Sequence, residues 1–321
     1  MKSQVMKRAA AAAMDVVLIP FAALFGPVAM IMARLAEKAP LSRRVLDAFG
    51  VALVRHHYYF PLVMASDLHK PLSAERSLPG LDLNPAGQLA LVSEFRYADE
   101  LRAFPLDDPG DGGFFFQNAS FEQGDAEVLY DMVRHFKPSR IVEIGSGHST
   151  RIARAAILKN ADETPGYQCV HTCVEPYEMP WLAQYEVNLI RERVELVDDQ
   201  TFDMLEAGDI LFIDSSHCIR PQGDVVHELL HLLPKIKSGV IVHIHDIFTP
   251  YDYPETWVLD RRLMWDEQYL LEAFLTCNKD FEVIAAVNWL WRNHAGRMAD
   301  AAPNLVERPE HQPGSFWLRR R

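Results

Sequence analysis

Cysteine is scarce: four residues in 321, Cys169, Cys173, Cys218 and Cys277, stand without the paired spacing of a disulfide-framed secreted domain. A reducing compartment is the expectation. Internal repeats are absent, and the one low-complexity tract is the alanine run at 9–13, so a solenoid is excluded. Positive charge is outnumbered over most of the chain. Residues 1–56 carry eight Lys/Arg against three acids, or +5, and the remainder sums to −17 within a net charge of −12. An acidic body holds long nucleic acid poorly through phosphates, so no nucleic-acid partner is expected. The basic amino-terminal arm instead suits an anionic membrane surface. The apolar fraction of 49% and charged fraction of 24% are those of a folded protein long enough for one large α/β domain with appendages, or two modest domains.

Long apolar runs are equally rare, and one stands out: residues 16–33 are 18 uncharged, mostly apolar positions between Lys7-Arg8 and Arg34. That is a membrane candidate. Asp15 borders the run and no small-residue cleavage site follows it, which disfavours a cleaved signal peptide. Pro20 and Gly26-Pro27 predict a bend or break, and positive residues on both flanks leave the orientation rule undecided. A re-entrant hairpin with both ends on the cytoplasmic face of the inner membrane meets these conditions. It resembles the broken membrane helix of monotopic bacterial phosphoglycosyl transferases. The alternative is a buried helix packed on the main domain.

The rest of the chain is organised around Ile141-Val-Glu-Ile-Gly-Ser-Gly-His-Ser-Thr150, a buried strand running into a glycine turn and then a helix. Ile141, Val142 and Ile144 suit a strand buried on both faces. Gly145 and Gly147 allow a tight turn and close ligand approach, and Ser149 or Thr150 can cap the helix. Glu143 needs a partner, which can be the glycine backbone or a ligand amine. A third glycine is lacking: the dinucleotide fingerprint would place it at Thr150, which disfavours a nicotinamide enzyme.

The predicted order from there is strand 141–144, helix 149–159, strand 169–174, helix 180–190, strand 194–197, strand 210–214, helix 223–233, strand 239–244, helix 262–276, strand 281–287 and a last strand at 315–318. Before it, Asp125 is expected to cap a helix ending at Lys137-Pro138, with helices also at 41–54 and 85–97. Such alternation makes a doubly wound α/β sheet, in which ligands bind at the carboxyl ends of the strands. Here those ends carry acids: Glu175 after the second strand, and Asp198-Asp199 after the third.

With these residues the chain resembles the class I S-adenosylmethionine-dependent methyltransferases, in a bacterial, methyltransferase-24-like branch. The words Pro79-Gly-Leu-Asp-Leu-Asn-Pro-Ala-Gly-Gln88, Gly113-Phe-Phe-Phe-Gln-Asn-Ala-Ser-Phe121 and His243-Ile-His-Asp-Ile-Phe-Thr-Pro250 carry the likeness further. It implies a Rossmann-like seven-stranded sheet whose late strand closes one edge. It also implies that Glu143, Gly145, Ser146 and Gly147 line the cofactor's methionine side, Glu175 binds its ribose, Asp199 lies near its adenine, and Asp214 borders it. The expected organisation is a membrane-associated segment at 1–38, a linker and lid at 39–120, and the cofactor domain at 121–321. Phe114, Phe115, Phe116 and Phe121 could cover the cleft, although core packing suits at least two of them.

Chemistry is expected where the fourth and fifth strands end. Asp214 and Asp246 are hard ligands suited to Mg²⁺, which would lower the pKa of a substrate hydroxyl, although Ile247 stands where an adjacent amide ligand belongs. His217, three residues beyond Asp214, is the candidate general base, with His245 behind it and His243 deeper in the core. Residues 249–254 with Trp257, Arg261, Arg262, Trp265, Glu267 and Tyr269 make an aromatic, charged composition that suits a polyol acceptor or anchors a helix. Cys169, His171 and Cys173 share a strand face, where they cannot readily converge on a tetrahedral zinc. The expected reaction is O-methylation of a hydroxyl on a sugar, glycan or lipid-linked intermediate. The alternatives are a non-catalytic membrane-attached scaffold, or a nucleotide-sugar or nicotinamide enzyme on the same sheet.

Overall fold

The computed structural model describes residues 2–35, 38–177 and 179–321; Ala36 and Glu37, inside the expected 1–38 segment, and Glu178 lie outside the described residues. Two compact units divide the chain: residues 1–69 with 256–264, and residues 70–255 with 265–321.

The first unit is led by α1 (Lys2–Leu35), a single helix that runs through both Pro20 and Pro27. The expected re-entrant hairpin is therefore replaced by a continuous element. Each proline removes one N–H from the ladder and crowds the preceding turn, which strains a helix of 34 residues without severing the bonds on either side. Its stretch Ala10–Leu35 is long and apolar enough to cross a membrane, and none of it is buried. The next helix, α2 (Pro40–Ala48), ends short of the expected 54.

In the second unit the helices α3 (Pro85–Val92), α4 (Ala98–Arg102) and α5 (Asp125–Phe136) precede the sheet. Asp125 does not cap α5: its carboxylate accepts from the amides of Gly314 and Ser315, and Glu127 reaches back to the Gly124 amide. The sheet and its crossovers follow as β1 (Arg140–Ile144), α6 (His148–Glu163), β2 (Val170–Val174) and β3 (Asn188–Ile190). Then come α7 (Gln200–Asp203), β4 (Ile210–Ile213), α8 (Asp224–His227), β5 (Ile241–Ile244), α9 (Glu267–Leu275), β6 (Phe281–Ala286), α10 (Val287–Met298) and β7 (Phe316–Arg320). Strand order is β3-β2-β1-β4-β5-β7-β6, parallel except for β7, which runs antiparallel to both β5 and β6. This is the seven-stranded sheet expected from the resemblance.

Its centre is dry. Every residue of β4 and β5 is buried, as a strand covered on both faces requires. Phe95, Phe116, Phe212 and Trp317 are fully enclosed, each side chain contributing about 1.5–3 kcal/mol by leaving water.

Several predicted elements moved. The run at 194–197 is a 3-10 turn (Val194–Leu196), and the third strand lies earlier, because four apolar residues carry no period that separates strand from helix. The expected helix at 180–190 reduces to a 3-10 turn at Pro180–Gln184, and α10 has no counterpart in the sequence reading.

Candidate active site

The glycine turn is tied to two neighbouring strands. Gly145 has φ +76°, and a Cβ there would lie 1.7 Å from the carbonyl oxygen of Asp214, so only glycine lets the end of β1 rest against the end of β4. Its amide donates to the Val174 carbonyl at 3.0 Å, and the Asp214 amide donates to the Ile144 carbonyl at 2.9 Å. Three strand ends are thereby locked at one edge.

Glu143 does not reach that edge. Its Oε1 accepts from Ser149 Oγ at 2.5 Å, and its Oε2 meets Thr150 Oγ1 at 2.8 Å, His171 Nε2 at 2.9 Å and Cys173 Sγ at 3.5 Å. Fully buried, it fastens the start of α6 to β1 and β2 beneath the turn, which corrects its expected place against the cofactor. Burial pushes the Cys173 thiol up, so it stays protonated and donates rather than serving as a thiolate ligand. Thr150 supplies the cap expected of it, accepting from the Gly147 amide at 3.1 Å.

Above the turn lies a cleft of about 540 Å³ lined by Gly145, Glu175, Tyr177, Glu195, Asp214 and Ser215, among others. It opens beside the β1–β4 boundary, where strand order reverses and open α/β sheets take their ligands. Glu175 accepts from the amides of Tyr177 at 2.9 Å and Ser146 at 3.3 Å, which aims its carboxylate along the cleft wall. Gly147 is close to Met179 and outside the lining.

Asp199 is elsewhere. It lies partly exposed with His231 Nε2 at 2.9 Å and Lys235 Nζ at 2.7 Å, and the Lys235 ammonium, with His231, holds its carboxyl below the usual range. Because residues 194–196 form a 3-10 turn, the aspartate begins α7 instead of ending a strand, and Glu195 lines the cleft while Asp199 does not.

The ends of β4 and β5 hold a charged cluster. His217 is buried with φ +59°; its Nδ1 lies 2.8 Å from Glu267 Oε2, and its Nε2 lies 3.3 Å from Asp214 Oδ1 and 3.5 Å from Asp246 Oδ2. Burial alone would lower its pKa, but the bonds to Asp214 and Glu267 and the nearby carboxylate charges outweigh that and hold it well above the usual value. Both imidazole nitrogens of His217 therefore face carboxylates, and its Nε2 lies within 3.5 Å of both Asp214 and Asp246, the two residues expected to hold Mg²⁺.

The two aspartates differ. Burial opposes ionisation of Asp214, yet the charges of His245 and His217 prevail and keep its pKa low. In Asp246, burial prevails over the same two histidines, helped by Asp214 and Asp125, and its pKa is raised. His245 is buried, its Nε2 3.5 Å from Asp246 Oδ1, and carboxylate charges overcome the burial penalty to raise its pKa. Beneath them, Glu228 accepts from Ser215 Oγ at 2.9 Å and is kept protonated by burial and by the charge of Glu267. Glu228 carried no sequence signal, and Glu267, named there with the aromatic stretch at 249–269, had nothing in its spacing to connect it with His217.

The aromatic residues serve packing. Phe114, Phe116 and Phe121 are buried in the core, Phe115 meets the His148 ring at 5.3 Å, and none of the four lines the cleft. Tyr251 and Tyr253 are buried, their hydroxyls bonded to Asn293 and to the Gln268 amide, while Trp265 packs on His217 with ring centroids 4.3 Å apart. Trp257, Arg261 and Arg262 fall in the first unit.

Residues 142–247 match a family model described as a methyltransferase domain. An uncharacterised protein of Archaeoglobus fulgidus is 26% identical over 167 residues, which cover 48% of this chain and 74% of that one. Among solved structures, a Thermobifida fusca protein assigned as a methyltransferase is 12% identical, with a TM-score of 0.36 over 62% of this chain and 81% of that one. A Plasmodium falciparum protein assigned as a protein-L-isoaspartate O-methyltransferase, bound to S-adenosyl-L-homocysteine, is 12% identical. Its TM-score is 0.25 over 36% of this chain, which spans only 56% of that protein's length. Neither structural likeness is close enough to bear on chemistry. Residues 142–247, which hold the glycine turn and the ends of β1, β2, β4 and β5, are thus similar to a methyltransferase domain.

Proposed function

We propose that the protein transfers a methyl group from S-adenosylmethionine to a hydroxyl of a sugar, glycan or lipid-linked acceptor at the cytoplasmic face of a membrane. The observation that carries this reading is the 540 Å³ cleft at the β1–β4 boundary, with Gly145 at its floor and Glu175 on its wall. When bound, the cofactor supplies an electrophilic methyl group. Glu175 and Glu195, both on the cleft lining, would hold its polar groups. Asp214, which lines the cleft and has its pKa lowered by His245 and His217, would face the acceptor hydroxyl as a carboxylate, with His217 bonded to it. The membrane part of the proposal rests on the exposed apolar face of α1, with Arg34 at its end.

The test is calorimetric titration of the full chain in detergent with S-adenosylmethionine, S-adenosylhomocysteine, NAD and a UDP-sugar. Binding of the two adenosyl-sulfur ligands alone is expected. Binding of NAD or the UDP-sugar instead would move the chain to another enzyme class. If the cofactor binds, radiolabelled methyl transfer to membrane glycolipid fractions is the next readout, and transfer only to amines would overturn the hydroxyl acceptor.

A further inference from the structure

Asp199 has a different use from the one its sequence position suggests. His227 and His231 lie one turn apart where α8 widens into a π-helical turn at Glu228–Leu232, a distortion often found at functional positions. Their rings stack with centroids 4.7 Å apart, and one ligand atom from each, with a carboxylate oxygen of Asp199, lies within 4.8 Å of the other two. Donors bound to a tetrahedral metal at about 2.0–2.2 Å stand about 3.4 Å apart, so rotations of the two imidazoles suffice to close the set.

Two further observations point to a cation. The Nε2 of His227 is buried and has no hydrogen-bond partner among the described residues. Lys235 Nζ lies 2.7 Å from Asp199 Oδ2 and 2.8 Å from His231 Nε2, so a positive charge already sits on two of the three donors. A crevice of about 460 Å³ reaches His227 and His231 and shares Arg193, Glu195, Gln222 and Gly223 with the cofactor cleft.

We propose that Asp199, His227 and His231 form a binding site for a divalent transition metal of the zinc, cobalt or nickel class, with Lys235 as the competing internal cation. Two imidazoles and one carboxylate suit these metals better than Mg²⁺ or Ca²⁺, and the crevice leaves the fourth position open to water or an anionic ligand. The site is independent of methyl transfer, because none of its three donors lines the cofactor cleft.

The experiment is titration of the full chain with Zn²⁺ by calorimetry and with Co²⁺ by visible absorption, without cofactor. One Zn²⁺ per chain and a tetrahedral Co²⁺ spectrum are expected, with affinity reduced at least about tenfold in His227→Ala and His231→Ala. Lys235→Met keeps all three donors and removes the competing charge, so it should bind more tightly than the wild type. Equal Zn²⁺ affinity in the histidine variants, or weaker binding in Lys235→Met, would overturn the proposal. If the histidine variants melt early, the Lys235→Met comparison decides alone.

Discussion

Nδ1 of His217 lies 2.8 Å from Oε2 of Glu267, and both groups are buried. Together with the bond to Asp214, that contact holds the pKa of a loop histidine well above its usual value. Glu267→Ala should destabilise the protein by about 3 kcal/mol, the lower end for breaking a buried pair, since His217 keeps its other two carboxylates. Denaturant unfolding at pH 7 measures it.

The raised pKa of His217 has a definite sign in stability. Its folded-state value exceeds the unfolded one of about 6.5, so the stabilisation is fully present below about pH 6.5 and is lost as pH rises through the folded value. Unfolding midpoints measured from pH 6 to pH 10 should fall with rising pH, and His217→Phe should flatten that fall. A wild-type curve with no decline would show that the imidazole is neutral when folded.

Gly145→Ala puts a Cβ against the Asp214 carbonyl and keeps φ at +76°. Backbone strain alone costs about 1–3 kcal/mol, and the clash adds to it, so a lowered melting temperature is expected along with lost cofactor binding. Native-like melting in this variant would mean that β1 and β4 do not meet as described.

Glu175→Ala should weaken S-adenosylhomocysteine binding by about 10–100-fold, since a hydrogen bond to a charged group contributes about 1.5–3 kcal/mol. Asp199→Ala should leave it unchanged, because Asp199 is outside the cleft. Calorimetry on the two variants side by side separates the acid that lines the site from the one expected there by sequence order.

The full chain should float with vesicles of anionic phospholipid, and replacing Leu18 and Leu24 by Lys should abolish flotation without altering the melt of the sheet domain. Both leucines are exposed on α1. A Lys near a bilayer centre costs about 2.5–3.5 kcal/mol per residue in insertion measurements, so two are enough to reverse a single helix. Flotation that survives would place membrane contact elsewhere in the chain.

Periodicity and strand-end chemistry determined most of the architecture in advance. The runs at 141–144, 210–213 and 241–244, apolar except for Glu143 and His243 and each followed by a turn, fit strands buried on both faces. The turn at Gly145 and the acid at Glu175 follow from the same local pattern, which is why the cleft lies where the sequence put it. Short runs were less legible: residues 194–197 are too few to show a period, and that one misplacement carried Asp199 with it.

What tertiary structure alone decided is the charge of the site. Sequence can show that Asp214, His217 and Asp246 come from adjacent strand ends, but the pKa of each depends on what else shares their dry volume. Glu267 arrives from a helix 50 residues beyond His217, and its carboxylate, with that of Asp214, raises the pKa of the imidazole. In low dielectric a few ångströms separate attraction from a desolvation penalty, and no spacing along the chain encodes those distances.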